Sequence, residues 1–315
     1  MSGITRRELI ERSGAAAAAV ALGANAAARP SRPSQSSRGN APSPPEPLQL
    51  RFAVKYGMVG GDASMEAKFR LLKKLGFDGV EMDSPNGFEL EDVLAARDAS
   101  GLPVHGVVDS IHWQTRLSDP DPAVREQGRR GLEEAILDSH DYGGSSVLLV
   151  PGRVADADTE NQEQVWERSI EQIRLALPIA AELGVHILIE NVWNGFCYDH
   201  GGANDQTADR LAAYIDAIGS PWVGMYYDLG NHKKYGRVED WVRTLGHRIV
   251  KLDVKDWGVE NGWAKIGQGD IDWPAVRAAL AEIGFTGWCT AEVGGGDAGR
   301  LGEIKANMDA ALRGA

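Results

Sequence analysis

The chain is short of several things, and each shortage removes a class of function. Cys197 and Cys289 are the only cysteines among 315 residues, so a disulfide scaffold is excluded and their spacing makes no metal knuckle. Basic residues are in deficit, 33 Lys and Arg against 45 Asp and Glu, for a formal net charge of −12. That balance argues against nucleic acid as a partner, because phosphate contacts need Lys and Arg in excess. The apolar run AAAAAVALGA near the N-terminus is too short for a confident membrane span. No Gly-rich dinucleotide loop follows the first strand-like segment, LRFAVKYG. What remains is an ordinary globular composition, 43% hydrophobic and 25% charged, at a length that fits one large domain or two average ones.

The first 28 residues belong to a different physical class from the rest. Paired Arg6 and Arg7 precede the short apolar run and the small-residue stretch ANAAA, the pattern of a twin-arginine export signal. Leu9 and Ile10 stand where Phe-Leu often follows the arginines. The expectation is export to the periplasm through the twin-arginine translocon, with the cysteines reduced and inert. Residues 29–48, rich in Pro and Ser, read as a disordered linker. The folded domain is expected over 49–315.

Within it a mark recurs: an apolar-periodic helix ends in Gly, and a short apolar strand follows. Gly76, Gly101, Gly143, Gly184, Gly219, Gly246 and Gly284 hold these positions, where a left-handed residue commonly closes a helix. With the opening strand the pattern gives eight strands alternating with helices whose apolar residues recur at helical spacing. This predicts a single-domain (β/α)₈ TIM barrel, with a doubly wound open sheet as the alternative. Chemistry in such a barrel sits at the C-terminal ends of the strands.

Four acids lie at such ends: Glu190 in HILIENVWN, Asp228 in VGMYYDLGN, Asp253 in IVKLDVKD and Glu292 in GWCTAEV. An acid where an apolar strand leaves a core is costly unless something binds it. Side chains alternate along a strand, so Lys251, Asp253 and Lys255 share one face, and Val250, Leu252 and Val254 the other. The apolar set should meet the helices. By the same parity Glu190, Asp228 and Glu292 turn inward, and all four acids should converge on a metal site.

These segments resemble the xylose-isomerase-like barrel superfamily, in particular its sugar isomerase and epimerase branch, over roughly residues 50 to 312. IENVWN is similar to the strand-five motif whose Glu binds metal, implying Glu190. YYDLGNHKKYG resembles the strand-six motif, implying Asp228 as a ligand with His232 following. TAEV resembles the strand-eight motif, implying Glu292, and IGQGDIDWPAV resembles the loop after strand seven. One position departs from the pattern: strand seven usually places a His two residues before the Lys-Asp pair, and Asp253 stands there. If Asp253 ligates, four carboxylates favour Mn²⁺ or Mg²⁺, with Zn²⁺ or Co²⁺ left open. Otherwise Asp253 only pairs with Lys251 or Lys255.

The resemblance implies proton abstraction beside a carbonyl, with a divalent ion stabilising the enediolate and Glu190 and Glu292 as the acid/base pair. His112, Trp193, Asn194, His232, Lys255 and Trp257 are the candidate substrate contacts, and Lys55 and Glu81 candidates for the mouth. Trp113 and Trp263, placed like Trp193 and Trp257 in post-strand loops, could stack on a sugar. His105 reads as a satisfied core histidine. Gly294 to Gly296 could cradle a phosphate, although export argues for a neutral sugar or oxidised glycoside. The expected substrate is a small carbohydrate, and a homo-oligomer is left open. The alternatives are a 3-keto-glycoside lyase or hydratase with the same first step, and a non-catalytic sugar-binding barrel. An abasic-site nuclease of this fold needs a His-rich zinc cluster, against which stand the seven histidines and the acidic charge.

Overall fold

The structure, a computed structural model, describes residues 48–314. The expected export signal at 1–28, and the expected linker at 29–48 except for its last residue, lie outside the described residues. The strands are β1 (Leu50–Lys55), β2 (Gly79–Ser84), β3 (Val104–Asp109), β4 (Ser146–Leu149), β5 (His186–Glu190), β6 (Val223–Asp228), β7 (Ile249–Val254), β8 (Asp256–Gly258), β9 (Gly262–Ala264) and β10 (Gly287–Ala291). Eight of them close a parallel barrel in the order β1-β10-β7-β6-β5-β4-β3-β2, and β8 and β9 form a separate antiparallel hairpin. The helices are α1 (Met65–Lys74), α2 (Leu90–Ser100), α3 (Pro122–Tyr142), α4 (Gln162–Leu183), α5 (Asp209–Ile218), α6 (Val238–Leu245), α7 (Trp273–Glu282) and α8 (Ala298–Arg313). The (β/α)₈ architecture is as the alternation required, and the open sheet is excluded.

Helix starts follow local chemistry. Ser64, Asp121, Asn161, Asp272 and Asp297 each accept a backbone N–H of the first turn, and Asn161 forms a reciprocal box with Gln164, satisfying donors that a helix leaves open. All seven expected stop glycines take positive φ. Gly246 is the exception in kind, with φ 53 and ψ −128 outside the left-handed helical well, because a short 3₁₀ turn follows at once.

The main core lies between sheet and helices, with Val80, Val107, Ile187, Met225 and Leu252 facing outward from the strands. A second small cluster, Leu148, Leu188 and Tyr226, fills the barrel interior, so Leu188 and Tyr226 do lie on the inward parity. Val250 corrects the expected pattern. The β6–β7 register shifts at Met225/Tyr226, and Val250 packs on the interior cluster instead of the helices; an extra residue in one strand re-aims its side chain. Among the described residues no helix is long and apolar enough to cross a membrane.

Candidate active site

Glu190 and Asp228 are the last residues of β5 and β6, Asp253 is the penultimate residue of β7, and Glu292 directly follows β10. Asp253 pairs in register with both Asp228 and Thr290, which brings acids far apart in sequence to one level. One carboxylate oxygen from each of the four lies within 4.8 Å of all the others. Asp228 and Asp253 are fully buried, Glu190 nearly so, and the Glu292 side chain is 31% exposed.

Two ammonium groups are threaded into this ring. Lys55 Nζ lies 3.0 Å from Asp253 Oδ2 and 2.7 Å from Glu292 Oε1. Lys255 Nζ lies 2.9 Å from Asp228 Oδ2 and also contacts Glu292 Oε2. The partner expected for Asp253 is thereby corrected: it pairs with Lys55 of β1, neither with Lys251 nor with Lys255. Asp228 Oδ1 accepts the backbone N–H groups of Gly230 (2.8 Å) and Asn231 (2.6 Å), and the Asn191 side chain bonds both the N–H and the C=O of Asp228. Asp253 Oδ1 is buried with no hydrogen-bond partner among the described residues. Asp228 Oδ2 and Glu292 Oε2 face Lys255 at ion-pair range without hydrogen-bond geometry. Buried polar atoms are seldom left so; four carboxylates against two ammonium groups fit a divalent cation with oxygen preference.

With the protein groups alone the acids are driven apart in strength. Burial, then the Glu292 charge, pushes Glu190 up to about 8. Burial likewise raises Asp228 to about 6 despite Lys255, and holds Asp253 well above the usual carboxylate range. Burial would raise Glu292 too, but Lys55 and Lys255 together outweigh it and bring it down to about 2. At neutral pH one member of the Glu190/Glu292 pair holds a proton and the other is ionised, the division of labour that acid–base chemistry needs.

Above the ring opens a cavity of about 500 Å³ whose wall includes Glu190, Glu292, Lys55, Lys255, His112 and Asn231. Trp113, Trp193 and Trp263 also line it, all partly exposed; Trp193 stacks on Trp263 with centroids 5.1 Å apart. His112 Nδ1 accepts the Val150 N–H, and burial, with the Lys55 charge second, lowers the imidazole to about 3. It faces the cavity neutral.

Three expected substrate contacts lie elsewhere. His232 is buried among Tyr198, Tyr235 and Trp241, and its Nε2–H donates to the Val192 carbonyl at 3.1 Å. Asn194 is turned to the Gly152 carbonyl and the Phe196 N–H. Trp257 faces Trp263 across the β8–β9 hairpin, so these two tryptophans sit on a ladder and not in a loop. In the Gly294 to Gly296 segment, the Gly296 N–H is spent on the Met58 carbonyl and is not free for a phosphate. Conversely, Asn231 was missed: its side chain reaches Glu190 (3.4 Å), the Asn191 carbonyl (2.8 Å) and Lys255 (3.2 Å). Its place in DLGN, beside an acid at a strand end, was the available signal. Asp256 was missed too. Its carboxylate gathers the N–H groups of Trp257 and Gly267 and the indole of Trp273, folding the 265–273 loop, and a side chain at Gly269 would collide with it.

The family described as the xylose isomerase-like TIM barrel matches residues 69–313. The L-ribulose-5-phosphate 3-epimerase UlaE of Escherichia coli (strain SMS-3-5 / SECEC) is 26% identical over 240 residues, covering 70% of this chain and 78% of the relative. A solved structure of an L-ribulose 3-epimerase matches with TM-score 0.68 at 18% identity, over 84% of this chain and 95% of the other. The 3-keto-D-glucoside 4-epimerase YcjR from E. coli matches with TM-score 0.68 at 16% identity, over 85% of this chain and all of the other. At such identities the structural likeness speaks for the fold alone.

Proposed function

The chain belongs to the xylose isomerase-like TIM barrel family, and from that premise we propose that it is a divalent-metal-dependent sugar isomerase or epimerase. The observation that carries this is the convergence of Glu190, Asp228, Asp253 and Glu292 within 4.8 Å on the floor of a tryptophan-rimmed cavity. UlaE and both solved relatives are by name sugar epimerases, which supports the same reaction class.

The four carboxylates would hold the cation, Mn²⁺ or Mg²⁺ by the hardness of an all-oxygen donor set. When bound, it would supply Lewis-acid polarisation of a carbonyl beside the reacting C–H. Everything else is done by side chains. Glu190 and Glu292 remove and return the proton, a contribution of roughly 10²- to 10⁴-fold. Lys55 and Lys255 keep Glu292 ionised, and neutral His112 and the Asn231 amide offer hydrogen bonds to hydroxyls. The tryptophans cover the apolar face of the ring and limit water. Export through the twin-arginine translocon belongs to the same proposal and rests on Arg6, Arg7 and the apolar run after them.

Incubating the metal-loaded protein with keto-sugars in D₂O tests the reading. Solvent deuterium should enter at the carbon beside the carbonyl, with an epimer or isomer as product. A keto-glycoside that releases its aglycone would move the assignment to a lyase; no exchange with any keto-sugar would leave a binding protein.

A further inference from the structure

A second cavity, of about 550 Å³, adjoins the first and shares Lys255, Trp263 and Glu292 with it. Either volume alone falls in the range that takes a small ligand, roughly 300–1,000 Å³. The common wall is therefore the reacting zone itself. Glu292 is the one acid of the four with appreciable exposure, 31%, and it belongs to both spaces. Trp263, 52% exposed on β9, belongs to both as well, with Lys255 Nζ 5.3 Å from its ring centroid.

The far side of the second cavity is built differently from the first. Its cations are already held: Arg300 Nε donates to the Gly294 carbonyl at 3.0 Å and Nη1 to Glu303 at 2.7 Å, while Lys265 Nζ pairs with the same Glu303. The lining carries no acid on that side beyond Asp256, whose carboxylate is committed to its own loop. A cavity with one aromatic wall, and with cations held in place by Glu303 and the Gly294 carbonyl, suits a hydroxylated ring that stacks on an indole.

Resting on the proposed sugar chemistry, we infer that the substrate is a glycoside and not a free monosaccharide. The keto-sugar ring occupies the cavity over the carboxylates, and the group across its glycosidic bond occupies the second cavity, on the other side of Trp263. The first cavity supplies reactivity and the second supplies selection for length.

The test compares two probes of equal reactivity and different length, a 3-keto disaccharide of glucose and the matched 3-keto methyl glycoside, in D₂O with the metal-loaded protein. The disaccharide should exchange with a kcat/KM at least tenfold higher. Ala264 lines only the second cavity, at a hairpin position that accepts large side chains. Ala264→Phe should lower the disaccharide-to-methyl-glycoside ratio at least tenfold, and Arg300→Ala by a smaller factor. Equal kcat/KM for the two probes in the wild type, or variants that lower both alike, would overturn the inference. Calorimetric titration with the same two sugars separates it from the chemistry. If neither sugar exchanges but the disaccharide binds tenfold tighter and Ala264→Phe removes that margin, the second subsite stands and the epimerase reading falls. If both bind equally, the subsite falls whatever the exchange result.

Discussion

The barrel holds two buried polar layers, one above the other, and they differ in the balance of cations and acids. In the lower layer Lys251 Nζ donates to His105 Nδ1 at 2.8 Å and to the His105 carbonyl at 2.7 Å. That leaves the His105 proton on Nε2, which donates to Thr290 Oγ1 at 3.2 Å; Thr290 donates to Tyr226 Oη at 2.6 Å, and Tyr226 to Glu81 Oε1 at 3.1 Å. Each donor points the same way along a chain that begins on Lys251 and ends on Glu81, whose second oxygen, Oε2, has no hydrogen-bond partner among the described residues. In the upper layer four carboxylates meet two ammonium groups, and oxygens of Asp253, Asp228 and Glu292 lack hydrogen-bond partners among the described residues. A buried network in which each donor finds an acceptor specifies structure. One in which four carboxylates crowd around two ammonium groups leaves a place for a further cation to fill.

Substitutions should pull the layers apart. The largest effect belongs above: Glu190→Gln and Glu292→Gln should each cut deuterium exchange by about 10³-fold, the scale of lost general acid–base transfer, with an unchanged circular dichroism spectrum. If either retained wild-type exchange, the upper layer would not be the reacting one. Below, Lys251→Met should cost stability: about 3 kcal/mol in urea unfolding, as for removal of one member of a buried charged network, with metal affinity altered only a few-fold. A metal affinity lost in step with stability would show the layers to be one unit.

The smallest effect is in pH. Glu190 is raised to about 8, so above the ordinary histidine range the metal-free native state still holds a carboxyl proton that the unfolded chain has released. Stability must then fall as pH rises through that window. Glu292, lowered to about 2, and the buried imidazoles of His112 and His232, lowered to about 3 and about 4, act in the opposite sense but only below the ordinary histidine range. The metal-free protein should lose roughly 2–4 °C of Tm from pH 7 to pH 8, the equivalent of about 1 kcal/mol in a chain of this size, and a saturating divalent ion should remove that slope. A slope that persists with the ion bound would locate the titration in the lower layer, where Glu81 is also raised by burial.

How far the sequence carried depended on the range of the interaction. Period-two and 3.6-residue patterns are local, and they yielded every barrel strand, every helix and the inward turn of the four acids. The Lys55 pair with Asp253 and Glu292 spans 198 and 237 residues; nothing local to β1 says which strand its lysine will face. Val250 was misplaced because a register shift depends on the neighbouring strand. His232, Asn194 and Trp257 all follow strand ends, but whether such a side chain points into the cavity or props its wall is decided by packing: Tyr198, Tyr235 and Trp241 enclose His232, and the Gly152 carbonyl claims Asn194. Asp256 and Asp228 look alike in the sequence. One is surrounded by backbone N–H groups and the other is left partly bare.

Calorimetric titration of the metal-stripped protein with Mn²⁺ at pH 7.5 tests the central claim most directly. One ion per chain should bind, with affinity falling at least a hundredfold in Glu190→Gln and in Asp228→Asn and little changed in Lys251→Met. Absence of binding at millimolar Mn²⁺, or binding that survives both acid substitutions, would contradict it.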